Sequence, residues 1–136
     1  KRCAVNNAAY DYYARCSPDD LNMALPPRGM RIWLFHKMQA SSALMMHHGA
    51  VMDMTVVSSF LGDFAPLIQV FLPDLTIGLK GRDEYSSIYS EVCHELAHAS
   101  HFSKVGTDYW NKYIIYVLGS YVSSGGMTYG DGTAIV

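Results

Sequence analysis

Charged side chains are scarce in this sequence, and neither sign dominates. The 136 residues include 10 Lys and Arg against 12 Asp and Glu, which gives a formal net charge of −2. The basic residues form no stripe, so the phosphate contacts that supply most nucleic-acid affinity are missing, and we expect no nucleic-acid partner. Half of the residues are hydrophobic. This composition indicates one globular domain and not a disordered chain.

Long apolar runs and a disulfide framework are missing as well. The longest uninterrupted apolar run, residues 113–118, falls far short of the roughly 20 residues that span a membrane, so we expect no membrane span. Three cysteines are too few, and odd in number, for a disulfide framework. The chain begins at Lys1 and not at Met, and it stops just after a Gly-Asp-Gly turn. We therefore expect residues 1–136 to be a single domain of a longer protein, cut at both ends, in an oligomeric state that the sequence leaves open.

The first half of the chain predicts one helix followed by several short strands. Apolar residues recur at helical spacing up to residue 16, and Ser17-Pro18 ends the pattern before a loop over residues 17–29. Short apolar runs bounded by turn residues predict strands at 31–35, 51–57, 66–72 and 75–79. Residues 39–49 are ambiguous, because their composition favours a helix that Gly49 would end quickly.

The second half predicts two consecutive amphipathic helices. Asp83 is expected to cap the first, over residues 84–105, and Gly106 to end it. Its apolar stripe comprises Tyr85, Ile88, Val92, Leu96 and Ala99. The second helix, capped by Thr107 or Asp108, has a stripe of Trp110, Tyr113, Ile114, Val117, Leu118 and Tyr121. Strands followed by helices predict an α+β domain in which the first of these helices is central.

That central helix contains the sequence His-Glu-Leu-Ala-His over residues 94–98, the HExxH motif of zincins. Residues i and i+4 project from the same face of a helix, one turn apart, so the imidazoles of His94 and His98 can bind one Zn²⁺. At about 100° per residue, the stripe through the histidines lies about 200° from the stripe through Val92 and Leu96. We therefore predict that one side of this helix packs while another faces a cleft.

Glu95 is predicted to be the catalytic residue of this zinc site. It is adjacent to His94 but is not expected to bind the metal. As a general base it would take a proton from the attacking water and pass it to the leaving amine. Zinc lowers the pKa of bound water to near 7 and polarises the scissile carbonyl, so no Ser or Cys nucleophile is needed. The motif thus predicts a zinc-dependent peptidase with a peptide or protein substrate.

The residues around the motif resemble those of a known family. EVCHELAHASHF over residues 91–102 and YWNKY over residues 109–113 are similar to zinc metallopeptidases of the gluzincin type from gut bacteria, as is RIWLF over residues 31–35. The resemblance implies a zincin-like fold, with a small mixed sheet whose edge strand lines the cleft above the active-site helix. It also implies an exported protein, secreted or surface-attached, and a third zinc ligand, a glutamate from a later helix.

That glutamate is absent from the sequence, because Glu95 is the last Glu in the chain. Either the ligand lies beyond Val136 or another residue takes its place. His101 shares the stripe of the two histidines, but it lies about 10.5 Å from His94 along an unbroken helix, too far to complete a tetrahedron. Asp108 loosely resembles the Gly-Thr-x-Asp signature of aspzincins with one residue missing, although capping the next helix is its simpler role.

Other candidate residues also have simpler structural roles. His47 and His48 are adjacent, so on a helix they would point about 100° apart, which favours a surface loop or helix end over a metal site. Cys93 is expected to be a small buried hydrophobic residue. Glu91 and Ser100 stand where zincin helices usually carry uncharged and apolar residues. This departure and the missing ligand leave open a non-catalytic, zinc-binding or degenerate zincin-like interaction module, although the retained general base favours the enzyme.

Overall fold

The computed structural model describes residues 1–15, 24–50, 55, 58 and 62–123, with side chains up to residue 117. In chain order the elements are helix α1 (Arg2–Arg15), strands β1 (Ile32–Phe35) and β2 (Ser42–Ala43), a 3₁₀ helix (Gly62–Phe64), helix α2 (Ala65–Phe71), strand β3 (Leu75–Gly78), and helices α3 (Tyr85–Val105) and α4 (Thr107–Ser123). The fold is α+β, which confirms the predicted class. Within the described part of the chain, no helix has the length and apolar character needed to cross a membrane.

The three strands form one mixed sheet in the order β1-β3-β2. β1 runs parallel to β3, with Ile32 opposite Leu75, whereas β2 runs antiparallel to β3, with Ser42 opposite Thr76. Every residue of the central strand β3 is buried, because a strand flanks it on each side and α3 packs on it. Such burial on both faces suits the mostly apolar segment 75–79 from which this strand is predicted, in which Thr76 is the polar residue. The predicted strand at residues 31–35 is confirmed as β1.

Helix α3 is the centre of the core. It packs against α1, α4, β2 and β3. Four residues of its predicted stripe, Ile88, Val92, Leu96 and Ala99, are at most 1% exposed. Tyr85 is 52% exposed, so the stripe begins one turn later than predicted. Burial of these side chains fixes the rotation of α3 about its axis.

Helix α1 lies against α3 through small apolar residues and two polar pairs. The buried residues of α1 are Ala4, Val5 and Ala8. Beside them, the Tyr89 hydroxyl donates a hydrogen bond to Asp11 at 2.8 Å, and the hydroxyls of Tyr12 and Ser100 lie 3.1 Å apart. The first predicted helix is therefore confirmed, and Ser100 has a structural partner on it.

The strand predicted at residues 66–72 is wrong, because residues 65–71 form helix α2. Pro66 lies in the first turn of α2, where a missing N–H is tolerated and the fixed φ of proline favours a helix. Leu72 ends α2 with a left-handed φ of 46° and donates its N–H to the Ile68 carbonyl at 2.9 Å. A short apolar run by itself cannot distinguish a buried strand from a short helix.

The ambiguous segment 39–49 contains β2 and a turn, and no helix. The two residues after β2 donate their N–H groups to the carbonyl of Asp74, at 2.8 and 3.0 Å. In a helix these N–H groups would bond to carbonyls four residues earlier in the chain. Here they bond to a distant segment instead. The strand predicted at residues 51–57 lies outside the described residues except for Thr55, which is helical.

The predicted N-cap of α3 is wrong, whereas its predicted end is confirmed. Glu84 precedes the first helical residue and makes no side-chain cap bond. Asp83 accepts a hydrogen bond from Lys1 Nζ at 2.8 Å instead. Gly106 ends α3 with a φ of 80°, a left-handed value that favours glycine. Because α4 begins at Thr107, a single residue joins the two helices.

Candidate metal centre

His94 and His98 lie side by side on α3, away from its most buried positions. His94 is exposed and His98 is half-buried. The ring centroids are 4.8 Å apart, with an angle of 78° between the ring planes. The two Nε2 atoms lie 3.2 Å from each other. The spacing of four residues therefore brings one nitrogen of each ring to a common point, as a helix requires.

The separation of the two Nε2 atoms fits a shared metal ion. Zn–N bonds of about 2.0–2.1 Å at a tetrahedral angle place two ligand nitrogens about 3.3–3.4 Å apart. The observed 3.2 Å corresponds to an N–Zn–N angle of about 100°. The same separation allows one neutral imidazole to donate a hydrogen bond to the other. Whether the rings bind a metal ion or a shared proton, the lone pair of at least one Nε2 atom is directed at the space between the two rings.

The surroundings of His98 favour a neutral ring. Burial, followed by the charges of His94 and His101, lowers the pKa of His98 from 6.5 to about 4. The ring is therefore unprotonated at neutral pH. Because only neutral imidazole binds a metal ion, no proton has to be removed from His98 when zinc binds at pH 7.

Glu95 lies on the packed side of α3, with only 4% of its surface exposed. Burial, followed by the charge of Glu91, raises the pKa of Glu95 to about 8, while Arg82 acts in the opposite direction. The carboxyl is therefore mainly protonated at pH 7 in the metal-free chain. A cation bound nearby would favour the carboxylate and lower this pKa. The ionisation of Glu95, the expected general base, therefore depends on the charges close to it.

Arg82 is the neighbour that the motif did not indicate. Its NH2 group forms an ion pair with Glu91 Oε1 at 3.0 Å, and each side chain of the pair is 22% exposed. Its NH1 group donates to the carbonyls of Gln39 and Gly78, at 2.7 and 2.8 Å. The sequence did contain a signal for this neighbour. Glu91 lies one turn before the histidines, where zincin helices usually carry an uncharged residue, and an unexpected carboxylate there indicates a cation beside it.

His101 turns toward α4 instead of joining the histidine pair. Its ring centroid lies 5.2 Å from that of Tyr113, 5.6 Å from that of Trp110 and 6.1 Å from that of Tyr109. Its Nδ1 is buried without a hydrogen-bond partner in the structure. Asp108 is exposed in the first turn of α4. Among the residues that the structure describes, no three His, Cys, Asp or Glu side chains are grouped so that they could hold a metal ion.

The remaining candidates of the sequence have structural contacts. His48 binds the buried carboxylate of Asp74 through Nδ1 at 2.9 Å, while the adjacent His47 is exposed in the same turn. Cys93 is half-buried and packs against the core. The structure therefore brings together His94 and His98, with Glu95 between them in the chain, and leaves the two histidines of the turn apart from them.

No protein-family model, curated protein or solved structure matches this chain. The likeness to gluzincins accordingly rests on the sequence stretches around the motif. The geometry of residues 94–98 has to be interpreted from its own chemistry.

Proposed function

We propose that this domain is a zinc-dependent peptidase in which His94 and His98 bind the metal and Glu95 is the general base. The observation that carries the proposal is the 3.2 Å separation of the two Nε2 atoms, because it fits two ligands of one tetrahedral zinc ion. An exported location is part of the proposal and follows from the gluzincin resemblance.

The chemistry of the proposal divides between the metal and the chain. Bound zinc supplies a Lewis acid that polarises a carbonyl and lowers the pKa of water to near 7. His94 and His98 hold the ion from adjacent turns of one rigid helix. Glu95, once ionised, takes a proton from the attacking water and delivers it to the amine that leaves. Its burial keeps competing water away from the carboxylate, which strengthens its interaction with a nearby cation.

The position of β2 supports a peptide as the substrate. β2 is an outer strand of the sheet, antiparallel to β3, and α3 packs against both. Among the residues that the structure describes, β2 pairs only with β3, and an unpaired strand edge can bind an extended chain. The small mixed sheet is consistent with the resemblance, and an edge strand that lines a cleft above an active-site helix is part of the proposal.

A second candidate function is a zinc-binding or degenerate module without catalysis. It is favoured by the absence of a third metal ligand from the described residues, because two imidazoles hold zinc less firmly than three or four ligands. The departures at Glu91 and Ser100 favour neither function, since the first pairs with Arg82 and the second with Tyr12.

Zinc titration combined with peptide hydrolysis tests the proposal. At pH 7 the parent chain should bind about one zinc ion. Variants His94→Ala and His98→Ala should bind it much more weakly, because each removes one of two ligands. His36→Ala removes an exposed histidine of a turn and is the matched control, with unchanged binding. If both ligand variants bind zinc as tightly as the parent, the metal site is wrong.

Glu95→Gln separates the two functions. The substitution preserves size and burial but removes the base, so zinc affinity should be kept while peptide hydrolysis falls by about 100-fold or more. Hydrolysis that is equal with and without the carboxylate would end the proposed mechanism. Zinc binding through His94 and His98 without any hydrolysis would favour the non-catalytic module.

A further inference from the structure

Arg82 joins three segments of the fold through one side chain. Its guanidinium donates to the carbonyl of Gln39, which precedes β2, and to the carbonyl of Gly78, which ends β3. The same group pairs with Glu91 on α3. The backbone N–H of Arg82 donates to the Leu79 carbonyl at 3.1 Å, so the turn that carries the side chain is itself fixed. A planar guanidinium with several donors suits this role.

Gly78 explains how the carbonyls come to lie together. A Cβ atom at Gly78 would be 2.5 Å from the backbone oxygens of both Gln39 and Ala40. The chain that leads into β2 therefore crosses directly over the last residue of β3, where only glycine leaves room. The Gly78 N–H donates to Ser41 Oγ at 3.1 Å. This crossing brings the acceptors within reach of one arginine.

The third partner of Arg82 belongs to the helix of the proposed metal site. Glu91 lies three residues before His94 and four before Glu95, and residues at these spacings are neighbours on one side of a helix. The contact with Arg82 is therefore made one turn before the motif begins. The Arg82 guanidinium therefore contacts both the segment before β2 and the part of α3 that carries the histidines.

We propose that Arg82 is a positioning residue, which fixes residues 39–44 relative to the α3 turn that leads into the His94–His98 pair. In this role it holds the segment that leads into β2, the strand proposed above to take an extended substrate chain, against α3. The consequence for catalysis rests on the proposed function, whereas the positioning itself does not.

Hydrogen exchange of the metal-free chain tests the positioning directly. Arg82→Gln removes the fork of donors, so exchange of the amides of residues 39–44 should accelerate about tenfold, the scale on which a charge-assisted hydrogen bond contributes. Arg82→Lys keeps the charge but loses the planar fork that places NH1 at the two carbonyls and NH2 at the carboxylate, so it should accelerate exchange as well. Arg31→Gln is the matched control, because among the described residues the Arg31 guanidinium donates to the Phe71 carbonyl, at 3.3 Å, and not to residues 39–44, so their exchange should be unchanged.

Glu91→Ala supplies an independent arm if Arg82→Gln does not fold. It frees the guanidinium from α3 but leaves both carbonyl contacts, so exchange at residues 39–44 should lie between that of the parent and that of Arg82→Lys. Parent-like exchange in Glu91→Ala or in a folded Arg82→Lys would overturn the proposal.

Kinetics of the zinc-loaded chain separate positioning from general damage. Arg82→Lys should raise KM for a peptide substrate while the zinc Kd stays that of the parent. A weakened zinc Kd, like that of His94→Ala, would mean that Arg82 supports the metal ligands and would refute its role at the β2 edge. If zinc binding proves independent of His94 and His98, the proposed function fails, yet the exchange result at residues 39–44 still decides the role of Arg82.

Discussion

The carboxylate of Asp74 binds both the backbone and the ring of His48. Oδ1 accepts the His48 N–H at 3.1 Å, and Oδ2 lies 2.9 Å from Nδ1 and accepts the Arg31 N–H at 2.9 Å. The Asp74 side chain is fully buried. The His48 Nε2 faces the Arg28 carbonyl at 3.1 Å, so both ring nitrogens face acceptors. One buried carboxylate thus joins the turn after β2 to the start of β1.

Asp74→Asn should lower the free energy of unfolding by about 3 kcal/mol, because it replaces a buried carboxylate that accepts three hydrogen bonds and places an amide N–H₂ group among donors. Urea unfolding monitored by circular dichroism measures the change. Asp83→Asn is the control, since Asp83 pairs with Lys1 through an 88% exposed side chain, and it should be indistinguishable from the parent. Equal effects of the two substitutions would contradict a structural role for Asp74.

Leu96→Ala should cost about 2–5 kcal/mol of stability, because the side chain is fully buried in the centre of α3 and its removal leaves a cavity. Leu67→Ala on α2, where the side chain is 44% exposed, should cost clearly less. Thermal or urea unfolding of both variants gives the comparison. Similar losses would show that α3 is not the packing centre of the domain.

Glu95 should make the stability of the metal-free chain fall with rising pH. Its pKa is about 8 in the folded chain against an ordinary 4.5, so between these values the folded chain retains a proton that the unfolded chain has lost. His98, with a folded pKa of about 4 against 6.5, acts in the opposite direction, but only below about pH 6.5. From pH 6.5 to 8 we expect a loss of about 2 kcal/mol from Glu95.

Urea unfolding at pH 6.5 and pH 8, with a chelator present, measures this loss. Glu95→Gln cannot titrate, so its stability should be nearly constant over the same interval and should exceed that of the parent at pH 8. If the parent and Glu95→Gln change in parallel, the carboxyl is ionised throughout and its burial does not control its charge.

Gly78→Ala should destabilise the domain by about 1–3 kcal/mol, the usual range for a forced close contact. The added Cβ would meet two backbone oxygens, at 2.5 Å, and a backbone cannot move aside as a flexible side chain can. The amides of residues 39–44 should lose protection in hydrogen exchange while those of α1 keep theirs. A variant with parent-like stability would show that the crossing over Gly78 is looser than the structure has it.

The parts of the fold that sequence could predict are those with long, regular patterns. Residues 85–105 repeat apolar side chains at helical spacing over five turns, and the histidine pair follows from the same period. β3 is predictable because a short, mostly apolar segment bounded by turn residues is typical of a strand buried on both faces. α2 is not, since its seven residues are too few to reveal a period.

The errors come from contacts between residues far apart in the chain. Asp83 had the identity of an N-cap, but Lys1, 82 positions away, binds its carboxylate. β2 has only two residues, and their pairing with β3 makes them a strand. The burial of Glu95 and its charged neighbour Arg82 were likewise not readable from the spacing of the motif, because both depend on how α3 packs on the sheet.

The junction at Gly106 has a consequence for the direction of α4. One glycine separates two helices, and its backbone permits many directions for the chain that follows. The direction is therefore set by side chains, above all by Trp110, which is fully buried and whose ring lies 5.8 Å from that of Phe102 and 5.6 Å from that of His101. The packing of Trp110 therefore fixes the angle between α3 and α4. A smaller residue at this position would alter that angle in addition to opening a cavity.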